Sequence, residues 1–216
     1  MTYQAVLFDL DGTLLDTIAD LADAMNAALA ELSLPPRELA ECKFFVGDGL
    51  RSYALRSLPE QARDEATLER CCELFRAAYA KNWHVKTRPF EGIGELLDGL
   101  TARGLTMTVL SNKPDDMTRL MVGEMLGRWQ FAAVRGVAAD GLKKPDPAGA
   151  LAIAKRLGVS PAEFLYLGDT NTDMQTANAA GMYAVGATWG FRPADELAAH
   201  GAKVLIDHPT ELLGLL

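Results

Sequence analysis

Short apolar runs alternate with helix-length segments through the C-terminal two thirds of the chain. Strands are predicted at residues 105–110, 132–137, 164–167, 183–185 and 204–206. Helices are predicted between or before them, at residues 93–100, 117–126, 147–157 and 174–180. Strands that alternate with helices of this length are typical of parallel sheets, because each parallel connection has to cross the sheet. The pattern therefore predicts an α/β fold with a parallel sheet covered by helices on both sides.

A helical segment interrupts this pattern directly after the first predicted strand. That strand, at residues 5–8, consists of four apolar residues followed by a polar turn. The next seventy residues contain no strand candidate of similar strength, and their apolar positions recur at helical spacing. We therefore expect two domains, an α/β core of residues 1–15 and 86–216 and an inserted helical domain of residues 16–85.

The composition indicates a folded protein and argues against several classes of partner. Of 216 residues, 49% are hydrophobic and 23% are charged, and the formal net charge is −8. An acidic chain lacks the basic surface that a general nucleic-acid binder needs. No stretch approaches the roughly 20 apolar residues of a membrane span, and the first residues do not resemble a signal peptide. Cys42, Cys71 and Cys72 fit reduced thiols, so we expect a cytoplasmic protein. From the charge and the lack of a long apolar stretch, we expect neither nucleic-acid nor membrane partners.

Polar residues follow the predicted strands at the points where ligands bind to parallel sheets. These residues are Asp9 and Asp11 after the first strand, Ser111 and Asn112 after the second, and Asp169 and Asp173 after the strand at 164–167. Lys143 and Lys144 precede the helix at 147–157. Carboxylates that converge repel one another unless a cation lies between them, and oxygen ligands are those that Mg²⁺ prefers. The sequence therefore predicts a magnesium site at this sheet edge.

Such a cluster is suited to phosphoryl transfer. A carboxylate can attack phosphorus and form an acyl phosphate, which divides one difficult step into two. Two like unit charges about 4 Å apart repel by about 4 kcal/mol at an effective dielectric constant of 20, so a metal, a lysine and a hydroxyl have to offset that repulsion. A second carboxylate has to protonate the leaving oxygen and then deprotonate water. Asp9 and Asp11 can face one ligand only if the chain turns, which Gly12 permits.

Four segments resemble, in order, the motifs of the haloacid dehalogenase superfamily phosphatases. They are Asp9-Leu10-Asp11-Gly12-Thr13, Ser111-Asn112-Lys113, Lys144-Pro145 and Gly168-Asp169-Thr170-Asn171-Thr172-Asp173. Three more segments resemble segments found in phosphoglycolate phosphatases. They are Val46-Gly47-Asp48-Gly49, Pro89-Phe90-Glu91-Gly92 and Thr188-Trp189-Gly190-Phe191. The resemblance implies a Rossmann-like parallel sheet core with an inserted α-helical cap. It also implies Mg²⁺-dependent hydrolysis of a small-molecule phosphomonoester, with 2-phosphoglycolate or a similar small phosphorylated acid as substrate.

The resemblance further implies roles for the acidic residues. Asp9 would be the nucleophile, and Asp11 would be the general acid and base. The carboxylates of Asp9 and Asp169 and the backbone carbonyl of Asp11 would hold Mg²⁺. Asp173 would support the metal through a water or from its second coordination sphere.

The remaining motif residues are implied to bind and orient the phosphoryl group. Ser111 and the backbone of Asn112 would contact it, Lys144 would link it to Asp9, and Thr13 would orient the loop of the first motif. We prefer Lys144 to Lys143 because a proline follows it, as in the family pattern. Ser111 and Asn112 could also cap the helix that begins near Pro114.

The inserted segment offers a candidate substrate-binding loop. Gly47 and Gly49, with Arg51 after them, would form it, and Arg51 or Arg56 would bind a substrate carboxylate. An ordinary turn between helices with exposed arginines is an equally good interpretation of the same residues.

Two other functions remain compatible with the motifs. A sugar phosphomutase of the same superfamily shares the first half-reaction, and a phosphoacceptor signalling domain also uses acids, a hydroxyl and a lysine around one aspartate. A dinucleotide-binding oxidoreductase is excluded because the first strand leads into Asp-Leu-Asp rather than into a glycine-rich turn. The sequence makes no prediction of the oligomeric state.

Overall fold

A computed structural model describes residues 3–138 and 141–216 of the chain. The strands are β1 (Ala5–Phe8), β2 (Leu15–Asp16), β3 (Arg88–Pro89), β4 (Thr106–Pro114), β5 (Phe131–Val137), β6 (Phe164–Gly168), β7 (Tyr183–Ala187) and β8 (Val204–Ile206). The α-helices are α1 (Ile18–Glu31), α2 (Leu39–Phe45), α3 (Leu50–Ser57), α4 (Glu65–Asn82), α5 (Ile93–Ala102), α6 (Asp115–Leu126), α7 (Ala148–Leu157), α8 (Asn171–Ala180) and α9 (Ala194–Ala199). Short 3₁₀ helices lie at Glu60–Ala62, Pro161–Glu163 and Pro209–Leu215.

Six strands form one parallel sheet in the order β5-β4-β1-β6-β7-β8. This confirms the predicted α/β class with a parallel sheet. All four residues of β1 are buried, as expected for a strand covered on both faces. Phe8 at the end of β1 lies opposite Val109 of β4 and Leu167 of β6. The polar residues that follow these three positions therefore emerge at the same edge of the sheet.

The chain divides into two compact units. One unit contains the chain up to Leu15 and from Pro89 onward, and the other is Asp16–Arg88. We expected the inserted domain to span residues 16–85, and the compact helical unit of the structure spans Asp16–Arg88. None of the helices in the described part of the chain has both the length and the hydropathy that a membrane span requires.

The second unit is helical, and its longest helices, α1 and α4, pack against each other. Their contact buries residues such as Met25 and Cys71, whose sulfur atoms lie 3.8 Å apart. The segment of residues 46–49 connects α2 to α3. Gly47 and Gly49 have φ angles of 126° and 87°, which other residues rarely adopt, so both glycines are needed for this turn.

The end of β4 differs from the prediction. The strand was expected to end at Ser111 and Asn112, but it continues to Pro114, and α6 begins at Asp115. The alternative that Ser111 and Asn112 cap the helix is also wrong, because Pro114 occupies the N-cap position. The physical reason is the pairing with β5, which resumes at Pro114 opposite Val137 after a register shift.

Candidate active site

The loop after β1 turns sharply at a glycine. The buried Asp9 carboxylate accepts a hydrogen bond at Oδ1 from the backbone N–H of Leu10, at 2.7 Å. Gly12 has a φ of 86°, and a Cβ atom at this position would lie 2.3 Å from Asp169 Oδ2. Glycine is therefore required here for the backbone conformation and for the close approach to Asp169.

Asp169, which follows β6, is bound by groups from two loops. Thr13 Oγ1 donates to Asp169 Oδ1 at 2.7 Å, and the backbone N–H of Phe191 donates to Asp169 Oδ2 at 2.8 Å. The indole N–H of Trp189 donates to the backbone carbonyl of Thr13 at 3.0 Å. Thr13 thus connects the loop of the first motif to the carboxylate of the fourth.

Lys144 lies between two carboxylates. Its Nζ atom is 2.7 Å from Asp9 Oδ1 and 2.7 Å from Asp173 Oδ1, and its side chain is 2% exposed. Burial alone would lower the pKa of Lys144, but Asp173 and Asp9 outweigh that effect and hold it above its ordinary value. Lys143 is exposed, so Lys144 is the lysine that reaches the carboxylates.

Asp9, Asp169 and Asp173 form a buried acidic cluster. One carboxylate oxygen from each lies within 4.8 Å of the others. Burial is the main cause that raises the pKa of Asp9 well above its usual value, and the neighbouring acids add to it while Lys144 opposes it. Burial and Asp173 raise the pKa of Asp169 to about 7. Three carboxylates around one ammonium group leave excess negative charge, and this oxygen donor set fits a hard divalent cation.

Asp173 is anchored more firmly than the other two acids. Its Oδ1 accepts hydrogen bonds from Lys144 and from the Tyr166 hydroxyl, at 2.7 and 3.2 Å. Its Oδ2 accepts from the backbone N–H and the hydroxyl of Thr170, at 3.0 and 2.6 Å. Because each oxygen already accepts two hydrogen bonds, Asp173 is better suited to orient its neighbours than to bind a metal directly.

The end of β4 places Ser111 and Asn112, both buried, beside this cluster. The side chain of Asn112 accepts from the backbone N–H of Lys144 at 2.7 Å and donates to the backbone carbonyl of Lys144 at 3.0 Å. The expected roles of Asn112 were a backbone contact with the phosphoryl group and a helix cap, and this side-chain clamp on Lys144 was not predicted. Ser111 Oγ accepts from the backbone N–H of Lys113 at 3.2 Å.

Asp11 is paired with Lys113, a lysine for which no role was predicted. Lys113 Nζ lies 3.0 Å from Asp11 Oδ1 and 2.8 Å from Asp11 Oδ2. The two side chains are 6% and 13% exposed. The available signal was the position of Lys113 within the second motif, but a lysine after a strand is more often solvated.

In the helical unit, the two candidate arginines contact acids of the same unit. Arg51 pairs with Glu65, and both side chains are largely exposed. Arg56 pairs with Asp48, which lies in the loop between α2 and α3. An arginine that binds a substrate carboxylate would have to exchange one of these partners.

Comparisons with known proteins identify the family. Residues 6–187 match the sequence model of a protein family, the haloacid dehalogenase-like hydrolases. A phosphoglycolate phosphatase of Pseudomonas putida is 35% identical over 213 residues, which cover 96% of this chain and 78% of that protein. A phosphoglycolate phosphatase of Xanthomonas campestris is 34% identical over 212 residues, which cover 97% of this chain and 94% of that protein.

Solved structures agree with this identification. A crystal structure from Lactobacillus delbrueckii subsp. bulgaricus superposes with a TM-score of 0.92 at 30% identity and covers 100% of this chain and 98% of its own. A predicted phosphoglycolate phosphatase from Haemophilus somnus gives the same TM-score and the same coverage at 25% identity. The chain therefore belongs to the haloacid dehalogenase-like hydrolases.

Proposed function

We propose that this phosphatase hydrolyses small phosphomonoesters through an aspartyl phosphate on Asp9, with Mg²⁺ as cofactor and 2-phosphoglycolate as a substrate. The buried cluster of three carboxylates with Lys144 between Asp9 and Asp173 carries the proposal. The name of the Pseudomonas and Xanthomonas relatives, phosphoglycolate phosphatase, supports the choice of substrate.

The first half-reaction would transfer the phosphoryl group to Asp9. Among the described residues, Leu10 and Lys144 donate to Asp9, and both contact Oδ1, so Oδ2 is the oxygen suited to attack. As the bond from Oδ2 to phosphorus forms, the ester P–O bond breaks. Asp11 gives a proton to the leaving oxygen, so that the alcohol departs uncharged.

The second half-reaction would return Asp9 to its free form. Asp11, now deprotonated, takes a proton from a water molecule as that water attacks phosphorus. The bond between Asp9 and phosphorus breaks, and inorganic phosphate leaves. Asp11 ends protonated, as it began, so the proton balance closes over one turnover.

Mg²⁺ would be held by the carboxylates of Asp9 and Asp169 and by the backbone carbonyl of Asp11. When bound, it would offset the repulsion between the anionic nucleophile and the phosphoryl oxygens. Lys144 would contribute a fixed positive charge beside Asp9, and Ser111 and the Asn112 backbone would contact the phosphoryl group.

The helical unit would bind the substrate through the turn that contains Gly47 and Gly49 and through Arg51, whose guanidinium would pair with the substrate carboxylate. Of the two arginines, Arg51 has the more exposed side chain, so a ligand reaches it more easily than it reaches Arg56. We place the reaction in the cytoplasm, since the three cysteines are free thiols.

A hydrolysis assay with Asp9→Asn tests the proposal. The purified chain should release phosphate from 2-phosphoglycolate with Mg²⁺, and a chelator should abolish the release. Asp9→Asn should lower kcat by at least about 10³-fold, because the amide is not a competent nucleophile. Asp195→Asn, a change at an exposed carboxylate in α9, is the matched control and should leave kcat unchanged.

Acid-quenched reactions with radiolabelled substrate should contain a phosphorylated protein that Asp9→Asn lacks. Turnover by Asp9→Asn near the wild-type rate would show that another residue is the nucleophile. Conversion of a sugar phosphate into its positional isomer without release of phosphate would instead identify a mutase.

A further inference from the structure

Lys113, at the end of β4, has no role in the proposed reaction steps. It contacts Asp11, however, which is the acid and the base of those steps. We infer that Lys113 is a positioning residue that orients the Asp11 carboxylate for both proton transfers. The inference rests on the proposed role of Asp11. It gives Lys113 a task distinct from that of Lys144, which contacts Asp9 and Asp173.

The Lys113 ammonium group and the Asp11 carboxylate make a two-point contact. Lys113 Nζ lies within hydrogen-bond distance of both Asp11 oxygens, at 3.0 and 2.8 Å, so the ammonium group restricts rotation of the carboxylate. Both side chains are largely buried, unlike those of an ordinary surface ion pair, whose geometry is loose and whose energy is small. When Asp11 carries its proton on one oxygen, the ammonium group can still contact the other, so the carboxyl group keeps one orientation in both proton transfers.

The backbone of Lys113 is itself fixed by hydrogen bonds. Its N–H donates to Ser111 Oγ at 3.2 Å, and its carbonyl accepts from Thr118 Oγ1 at 3.3 Å. A Cβ atom on Gly136 of β5 would lie 2.5 Å from the Lys113 carbonyl oxygen, so only glycine allows the two strands to approach so closely. The main chain that carries Lys113 is therefore held from both sides.

The pairing of β4 with β5 is irregular around Lys113. The register between β4 and β5 shifts between Leu110 and Pro114, the stretch that contains Lys113. Such irregularities re-aim side chains and are frequent beside active sites. Within this irregular stretch, the Lys113 side chain reaches the loop after β1 and contacts Asp11.

The dependence of rate on the leaving group distinguishes positioning from a merely structural role. The alkoxide of 2-phosphoglycolate needs a proton as it leaves, whereas p-nitrophenolate leaves readily without one. Lys113→Met should therefore lower the rate of Asp9 phosphorylation by about 10- to 100-fold with 2-phosphoglycolate and by less than about threefold with p-nitrophenyl phosphate. Breakdown of the phosphoenzyme should slow equally for both substrates, because the water still has to lose a proton.

The experiment uses rapid-quench single-turnover kinetics with the full chain and Mg²⁺. Lys113→Arg should restore part of the rate with 2-phosphoglycolate, because it keeps the positive charge. Lys155→Met, at an exposed position of α7, is the control and should match the wild type with both substrates. If Lys113→Met does not fold, Lys113→Gln replaces it and should show the same dependence on the leaving group in a milder form.

Two results would overturn the inference while leaving the proposed function intact. One is an equal loss of phosphorylation rate with both substrates. The other is a raised KM for both substrates together with weaker inhibition by inorganic phosphate, while the ratio of the phosphorylation rates with the two substrates stays unchanged. That result would mean that Lys113 binds the phosphoryl group. If the wild type hydrolysed neither substrate, or if Asp11→Asn showed no dependence on the leaving group, the proposed function would fail and the inference with it.

Discussion

At the scale of single residues, the site depends on how few positive charges balance its buried acids. Lys144 lies between Asp9 and Asp173. Without its ammonium group, these two buried carboxylates would have no positive charge between them. Taking one partner out of a buried ion pair leaves an uncompensated charge, which is far more costly than the loss of a surface pair. The lysine therefore contributes to stability as well as to chemistry.

Lys144→Met should destabilise the metal-free protein by about 3–5 kcal/mol, because it leaves two buried carboxylates without their shared ammonium group. Urea unfolding followed by circular dichroism measures the loss. Lys155→Met, which removes an exposed lysine of α7, should change the unfolding free energy by less than about 0.5 kcal/mol. A Lys144→Met variant as stable as that control would contradict the buried network.

The sequence was informative about residues that follow strands and uninformative about the contacts of their side chains. Asp9 and Asp169 follow buried apolar runs, so elementary rules of parallel sheets already predicted that they would meet. The pairing of Lys113 with Asp11 and the clamp of Asn112 on Lys144 depend on an irregular strand end. No residue pattern within β4 itself encodes that irregularity, because it arises from the pairing with β5.

At the scale of elements, the end of β4 holds the segment that carries Lys144. The Asn112 side chain bonds to both the N–H and the carbonyl of the Lys144 backbone. Its amide thus satisfies the main chain of Lys144 as the backbone of a neighbouring strand would. These are buried main-chain groups, which cost free energy when they lose their partners. The lysine side chain is thus positioned through its own backbone.

Asn112→Ala should lower the unfolding free energy by about 1–3 kcal/mol and should lower kcat more than it raises KM. The first effect follows from the two main-chain groups of Lys144 that lose their partners, and the second from the displaced ammonium group. Denaturant unfolding and steady-state kinetics with 2-phosphoglycolate measure both. Asn82→Ala, an exposed position near the end of α4, should show neither effect. A change in KM alone would indicate that Asn112 contacts only the substrate.

At the scale of the whole molecule, the sequence predicted a sheet interrupted by a helical insertion, but it placed the return to the sheet at residue 86. The compact helical unit of the structure runs to Arg88. The backbone N–H groups of Lys86 and Thr87 and the Thr87 hydroxyl donate to the buried Asp20 carboxylate of α1. These bonds attach the segment to the helical unit. The sequence could not show this, because Asp20 lies more than sixty residues away and looks like an ordinary first-turn acid.

The stability of the whole chain should depend on pH in a way that reports metal binding. Burial and Asp173 raise the pKa of Asp169 from its ordinary value of 3.8 to about 7. The native state therefore binds this proton more tightly than the unfolded state does. As pH rises from about 4 to about 7, this carboxyl group makes a falling contribution to the stability of the metal-free protein. The raised pKa of Asp9 acts in the same direction.

Mg²⁺ binds the deprotonated carboxylates, so its stabilising effect should grow over the same pH range. At a concentration of 100 times its dissociation constant, a ligand adds about 2.7 kcal/mol, which for a chain of this size raises Tm by about 5–10 °C. We expect a shift of that order at pH 7.5 and little shift at pH 5, measured by thermal unfolding with Mg²⁺ and with a chelator. Asp169→Asn should abolish the shift at pH 7.5, whereas Asp195→Asn should retain it. An equal shift at both pH values, or its persistence in Asp169→Asn, would mean that the cation binds elsewhere, because a cation held by the Asp169 carboxylate has to compete with the proton of that group.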